Sequence, residues 1–165
     1  MQEIFQQTID KPITFEGIGL HSGKISKVRL LPGADNEGII FKRIDLKENN
    51  IVKANYKNVS SARLCTTLEN AAGHKVSTVE HLLAAFYIIG IDNVIIEIDN
   101  EEIPIMDGSS KNFIEILDKA GKKLLNKKRK FLKVVEKLSL EDDGRTISIT
   151  PGDLNLEVNF QLNYS

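Results

Sequence analysis

The stretch STVEHLLAAFYIIG, residues 77–90, followed by DNVIIEID, residues 92–99, decides the fold class. Val79, Leu82, Leu83 and Phe86 recur at helical spacing, which predicts an amphipathic helix with one face in a core. Ser77 with Glu80 three residues on spells a capping box, in which the Ser oxygen takes the N3 amide and the carboxylate reaches back to the N-cap amide. Gly90 stands where a helix stops. The run after it is short, apolar and β-branched, so it reads as a buried strand. A helix followed at once by such a strand implies helices packed on a sheet.

Upstream, residues 4–68 read as short strands separated by turns. KISKVRLLP alternates, with Ile25, Val28 and Leu30 among polar neighbours; GIIFKRIDL and ARLCTTL are further strand candidates. LENAAGHKV carries a hairpin turn at Ala72 and Gly73. Downstream, NEEIPIMDGSS is a loop, and KNFIEILDKAG gives a second helix with Phe113, Ile116, Leu117 and Ala120 on one face and Gly121 as its stop. The class is α+β: a mostly antiparallel sheet with two helices packed on it.

KKLLNKKRK, residues 122–130, reads as a solvated linker and a domain boundary. The expected division is a complete α+β domain over residues 1–128 and the first strands of a second over 129–165. In the latter, FLKVVEKLSLED and RTISIT flank Asp143-Gly144, a hairpin signal, and LNLEVNFQL alternates from Leu154 to Leu162. Three strands with one apolar face each and no covering helix are marginal alone.

The chain has 165 residues and a formal net charge of −1, which argues against a large nucleic-acid footprint. A single cysteine, Cys65, allows no intrachain disulfide, and a cytoplasmic setting is the default. The start, MQEIFQQTIDK, lacks the apolar centre of a signal peptide, and no apolar run is long enough to span a bilayer.

Glu80 and His81 also admit a chemical reading. An imidazolium is disfavoured at a helix N-terminus, and neutral imidazole is the form that binds metals. A neighbouring carboxylate can then serve a water at the metal. Most helical histidines are structural, so spacing alone leaves both readings open.

Four motifs in order, GIGLHSGK, STVEHLLAAF, GIDNVIIEI and EIPIMDGSS, together resemble UDP-3-O-acyl-N-acetylglucosamine deacetylase, the zinc amidohydrolase of bacterial lipid A synthesis. The resemblance runs from about Thr8 to the last strand. It implies two similar α+β domains, each ribosomal S5 domain 2-like, with the active site between them. It implies that the first is complete here, the second only begun, and that a comparable length of chain follows Ser165. The substrate implied is UDP-3-O-acyl-N-acetylglucosamine and the cofactor zinc. Glu80 matches the general base and His81 one zinc ligand; the remaining His and Asp ligands, on an H-x-x-x-D helix, and the general-acid His belong to the missing C-terminal domain. This piece alone is therefore expected to be inactive. The resemblance also places Leu64 and Cys65 on a strand at the floor of the site, and His21 near the substrate cleft.

Other signals are weaker. GIGLHSGK fails both phosphate-loop patterns, since Ile18, Ile25 and Ser22 stand where Gly, Ser or Thr, and Gly are needed; it reads as a hairpin loop. Cys65 has no imidazole partner in sequence and reads as a buried strand thiol. Asp107 in MDGSS reads as a turn leading into a helix. A second function class also stands: a non-catalytic domain of this fold that binds a partner and keeps the motif residues for packing.

Overall fold

The computed structural model describes residues 4–153 and 156–162. Its contacts divide the chain into two units, Met1–Arg129 and Lys130–Ser165. In the first, the chain runs through β1 (Phe5–Ile9), β2 (Ile13–Ile18), β3 (Ile25–Pro32), β4 (Ile39–Arg43) and β5 (Ile51–Lys53). A short 3₁₀ turn at Tyr56–Asn58 leads to β6 (Val59–Ser61), β7 (Thr67–Glu69) and β8 (Lys75–Val76). Then come α1 (Glu80–Ile89), β9 (Val94–Ile98), α2 (Lys111–Ala120) and β10 (Lys122–Lys128).

The main sheet has the order β2-β3-β9-β4-β5. Only the β4–β9 pair in it is parallel. Its register places Ile13, Leu30, Ile96, Phe41 and Val52 in one row across all five strands. Four of these, from Leu30 to Val52, are fully buried. Alternation along β3 explains this: Val28 and Leu30 face the core while Lys27 and Arg29 face water. Leu82, Ala85 and Phe86 of α1 and Phe113, Leu117 and Ala120 of α2 join the same core. Each such large side chain contributes about 1.5–3 kcal/mol on burial. The fold is the expected α+β arrangement, with mostly antiparallel pairing and two helices. Gly90 ends α1 in the left-handed region, its amide bonding back to Phe86 O, as the sequence predicts. No described helix is long and apolar enough to cross a membrane.

Five readings require correction. The capping box does not form. Helix α1 begins at Glu80, its N-cap position is Val79, and no side chain caps it. Ser77 instead joins a bridge to Glu102, with both its amide and its hydroxyl bonded to Glu101 O. Tertiary pairing claimed the backbone that a local cap would need.

Residues 122–128 are not a linker. They form β10, paired antiparallel with β1, and Asp35 Oδ1 accepts from the amides of Asn126 and Lys127. An edge strand studded with lysines looks like a solvated segment because its side chains face water.

Leu64 and Cys65 lie on a bend between β6 and β7, not on a strand, because Leu64 adopts φ +66 and cannot continue a ladder. Cys65 is half-buried rather than a core thiol.

In the second unit, β11 (Leu138–Asp142) and β12 (Arg145–Ile149) form a hairpin through Asp143 and Gly144. Both turn residues have positive φ, as a type I′ turn requires. Leu138, Leu140, Ile147 and Ile149 share one exposed face. The alternating run at 154–162 is not a strand over its described residues 156–162, since none of them joins a ladder; residues 154 and 155 lie outside the described residues.

Candidate active site

Three loops meet at the N-terminus of α1. The first, residues 62–66, is tied to it through both backbone groups of one residue: Glu80 Oε2 accepts from the Thr66 amide at 3.1 Å, and Thr66 O accepts from the Val79 amide. The other carboxylate oxygen, Oε1, has no partner among the described residues. Glu80 is half-buried, so it is neither dissolved in solvent nor spent on a cap. His81 follows it, half-buried, on the first turn of the helix.

The second loop is MDGSS. Asp107 Oδ1 accepts from the amide and hydroxyl of Ser109, the Asx turn expected at a helix start, and these bonds outweigh slight desolvation to hold its carboxyl below the usual range. Ser110 donates its hydroxyl to His81 O at 2.9 Å, which pins the second residue of α1. The third is the β2–β3 hairpin loop, Gly19 to Lys24, closed by Gly19 N to Lys24 O. His21 is exposed at its tip.

The residue that joins the third loop to the start of α1 is Glu102, which the sequence reading did not single out. It is 1% exposed. Its Oε1 accepts from the His21 amide and from the Thr78 hydroxyl, both at 2.9 Å, and its Oε2 accepts from the Ser22 amide at 2.7 Å. Burial pushes this carboxyl up, but the donors from His21, Ser22 and Thr78 outweigh burial and hold it below the usual carboxylate range. A buried carboxylate persists only with such partners. Its acidic type within a loop gave no sign of burial; the neighbouring Ile103-Pro104 was the sole hint that the loop turns inward.

Backbone strain gathers around the same helix start. Thr78, Leu64 and Met106 all have positive φ, at +56, +66 and +56. For a β-branched residue such as Thr78 this is a true outlier, costing about 1–3 kcal/mol, and such outliers cluster at functional sites. Leu64 is also 86% exposed, an apolar side chain held out into solvent from a strained loop.

The structure thus brings Glu80 and His81 together with the loop bearing Leu64 and Cys65, and bonds the His21 loop to the same helix start through Glu102. His74 lies elsewhere, in the β7–β8 turn built on Asn70, as its hairpin signal implied.

The family model described as UDP-3-O-acyl N-acetylglycosamine deacetylase matches residues 6–165. The chain belongs to that family. Among deacetylase relatives, the UDP-3-O-acyl-N-acetylglucosamine deacetylase of Wigglesworthia glossinidia brevipalpis is 44% identical over 91% of this chain and 51% of its own length. The protein of the same name from Solibacter usitatus is 40% identical over 90% and 50%. That of Pseudoalteromonas atlantica is 38% identical over 98% and 53%. The chain spans about half the length of the curated relatives it matches.

Against zinc, the donor set of this deacetylase-family chain fits in part. His81 offers one imidazole, but no group of three or more His, Cys, Asp or Glu side chains among the described residues is placed to hold a metal ion. A catalytic zinc uses three protein donors and one open position.

Proposed function

We propose that this chain carries one half of the reaction centre of a deacetylase that hydrolyses the N-acetyl group of UDP-3-O-acyl-N-acetylglucosamine. The observation that supports this most directly is the Glu80 carboxylate. One oxygen is steadied by the Thr66 amide and the other is free, beside an imidazole on the same helical turn. In this reading His81 is one donor to zinc, and the remaining donors belong to the length by which the relatives exceed this chain, a second domain C-terminal to it.

Zinc, when bound, acidifies a water to a pKa of about 7 and polarises the amide carbonyl. Glu80 takes the proton of the attacking water as a C–O bond forms at the acetamide carbon. The C–N bond then breaks, the amine leaves with a proton from an acid outside this chain, and acetate departs. Thr66 keeps the base aimed without neutralising it. Leu64 and Cys65, on the loop fixed by Thr66, and His21, on the loop held by Glu102, contact the substrate.

Acetate release and zinc calorimetry test the proposal. The 165-residue chain is expected to bind zinc weakly and to turn over nothing. A polypeptide of the relatives' full length that carries this sequence is expected to release acetate, and Glu80→Gln to slow it by about 10²–10⁴-fold. Tight stoichiometric zinc on the short chain, or an unaltered rate in the Gln variant, contradicts the reading.

A further inference from the structure

We propose that Glu102 is a positioning residue: it holds the strained start of α1 so that the Glu80 carboxylate stays on the Thr66 amide, and it sets the His21 loop against that same start. The functional meaning rests on the deacetylase reading above; the coupling itself does not.

The connection runs through a single atom. Oε1 of Glu102 takes both the His21 amide and the Thr78 hydroxyl, so the two motifs share one acceptor. Thr78 is two residues before Glu80, is 2% exposed, and sits at φ +56. Left-handed Thr persists only where its surroundings over-determine it. The surroundings here are few and specific. The Thr78 hydroxyl is fixed by Glu102, and the flanking backbone is fixed by the Ser77 amide on Glu101 O and the Ile103 amide on Ser77 O. The strained peptide therefore turns the chain from the Ser77–Glu102 bridge into α1 at an angle that Glu102 enforces. Release of that angle would swing the first turn of the helix, and Glu80 with it, away from residues 62–66.

The loop side is equally specific. Gly19 passes so close to the carboxylate that an added Cβ would fall on Glu102 Oε2 and Ser22 Oγ. With Ser22 N on Oε2 and His21 N on Oε1, the carboxylate fills the hollow of the loop as a template. A group that served packing alone would need neither its charge nor three converging donors.

The test uses the ¹⁵N-labelled chain, Glu102→Gln and Thr78→Val, followed by amide hydrogen exchange and thermal melting. Gln keeps the shape but gives up the charge and one acceptor; Val removes only the Thr78 hydroxyl. The amide that decides is Thr66, which bonds to neither Glu102 nor Thr78 and senses them through Glu80 on its N–H and the Val79 amide on its carbonyl. Positioning predicts that Thr66 exchanges about tenfold faster in both variants, the weight of one hydrogen bond. It also predicts that at least one of the His21 and Ser22 amides is exposed in the Gln variant, while both stay protected in the Val variant. If melting falls while Thr66 keeps its wild-type protection in both, Glu102 is a structural strut and the proposal is overturned. Should the Gln variant fail to fold, Thr78→Val decides alone. No arm uses acetate release, so loss of the deacetylase reading and loss of this one are told apart.

Discussion

Replacing Gly19 with Ala tests the seat of the buried carboxylate with one methyl group. The backbone of Gly19 is not left-handed, so the substitution adds no conformational strain, and its whole cost is steric. The new Cβ would overlap Glu102 Oε2 and Ser22 Oγ, and the carboxylate is the end of a side chain held by three donors. Moving it forfeits at least one charge-assisted bond worth about 1.5–3 kcal/mol, or else overpacks the loop at about 1–3 kcal/mol. A loss of about 1–3 kcal/mol lowers the melting temperature of a unit this size by about 4–11 °C. Gly23→Ala is the control in the same loop. Its Cβ meets open space but its φ is +64, so it carries only the left-handed penalty of about 1–2 kcal/mol. Calorimetric melting at neutral pH of both variants gives the comparison. Glu102→Asp draws the oxygens back and makes room, so in that background Gly19→Ala should cost about 1 kcal/mol less. A Gly19 variant that melts no lower than the Gly23 variant, or costs that add without coupling, would refute the placement of the Glu102 carboxylate under the loop.

Further expectations concern acid, the exposed loop and the base. Glu102 and Asp45 have folded-state pKa values below their usual 4.5 and 3.8: Glu102 because its donors outweigh burial, Asp45 chiefly through its bond with Arg43. Depressed carboxyl pKa values give stability that is present above the unfolded values and lost as pH falls through the folded ones. Urea midpoints should therefore hold near neutrality and decline below about pH 4.5, and Glu102→Gln should flatten that decline. Leu64→Gly removes a left-handed Leu that buries almost nothing, so the unfolding free energy from denaturant melts should hold or rise by up to about 1 kcal/mol. On the proposed reading, substrate binding by a polypeptide of the relatives' full length should nevertheless weaken, since the exposed side chain is gone. Glu80→Gln keeps an oxygen for the Thr66 amide, so the unfolding free energy of the chain should change by less than about 1 kcal/mol; a larger loss would mean the carboxylate serves structure rather than chemistry.

The sequence by itself determined the elements whose signals are local. Alternation in Ile25–Pro32 and the apolar run at Val94–Ile98 produced the two central strands, because side-chain period and burial are written residue by residue. Gly90, Gly121 and the Asp143-Gly144 turn were legible for the same reason: each needs a backbone conformation that its own residue type permits. Four motifs in order were enough to mark the family and to nominate Glu80 and His81 as candidates. What sequence could not decide was how each polar group spends its bonds. Ser77 and Glu80 satisfy a capping pattern that any short helix could use, yet the bridge from Ser77 to residues 101–103 and the loop at Thr66 took those groups first. Lys122–Lys128 became a strand only because β1 lies beside it, and Glu102 became a buried hub only because the Gly19–Lys24 loop and the start of α1 close over it. A hydrogen bond between residues 80 positions apart leaves no period in the sequence, so its existence waits on the tertiary fold.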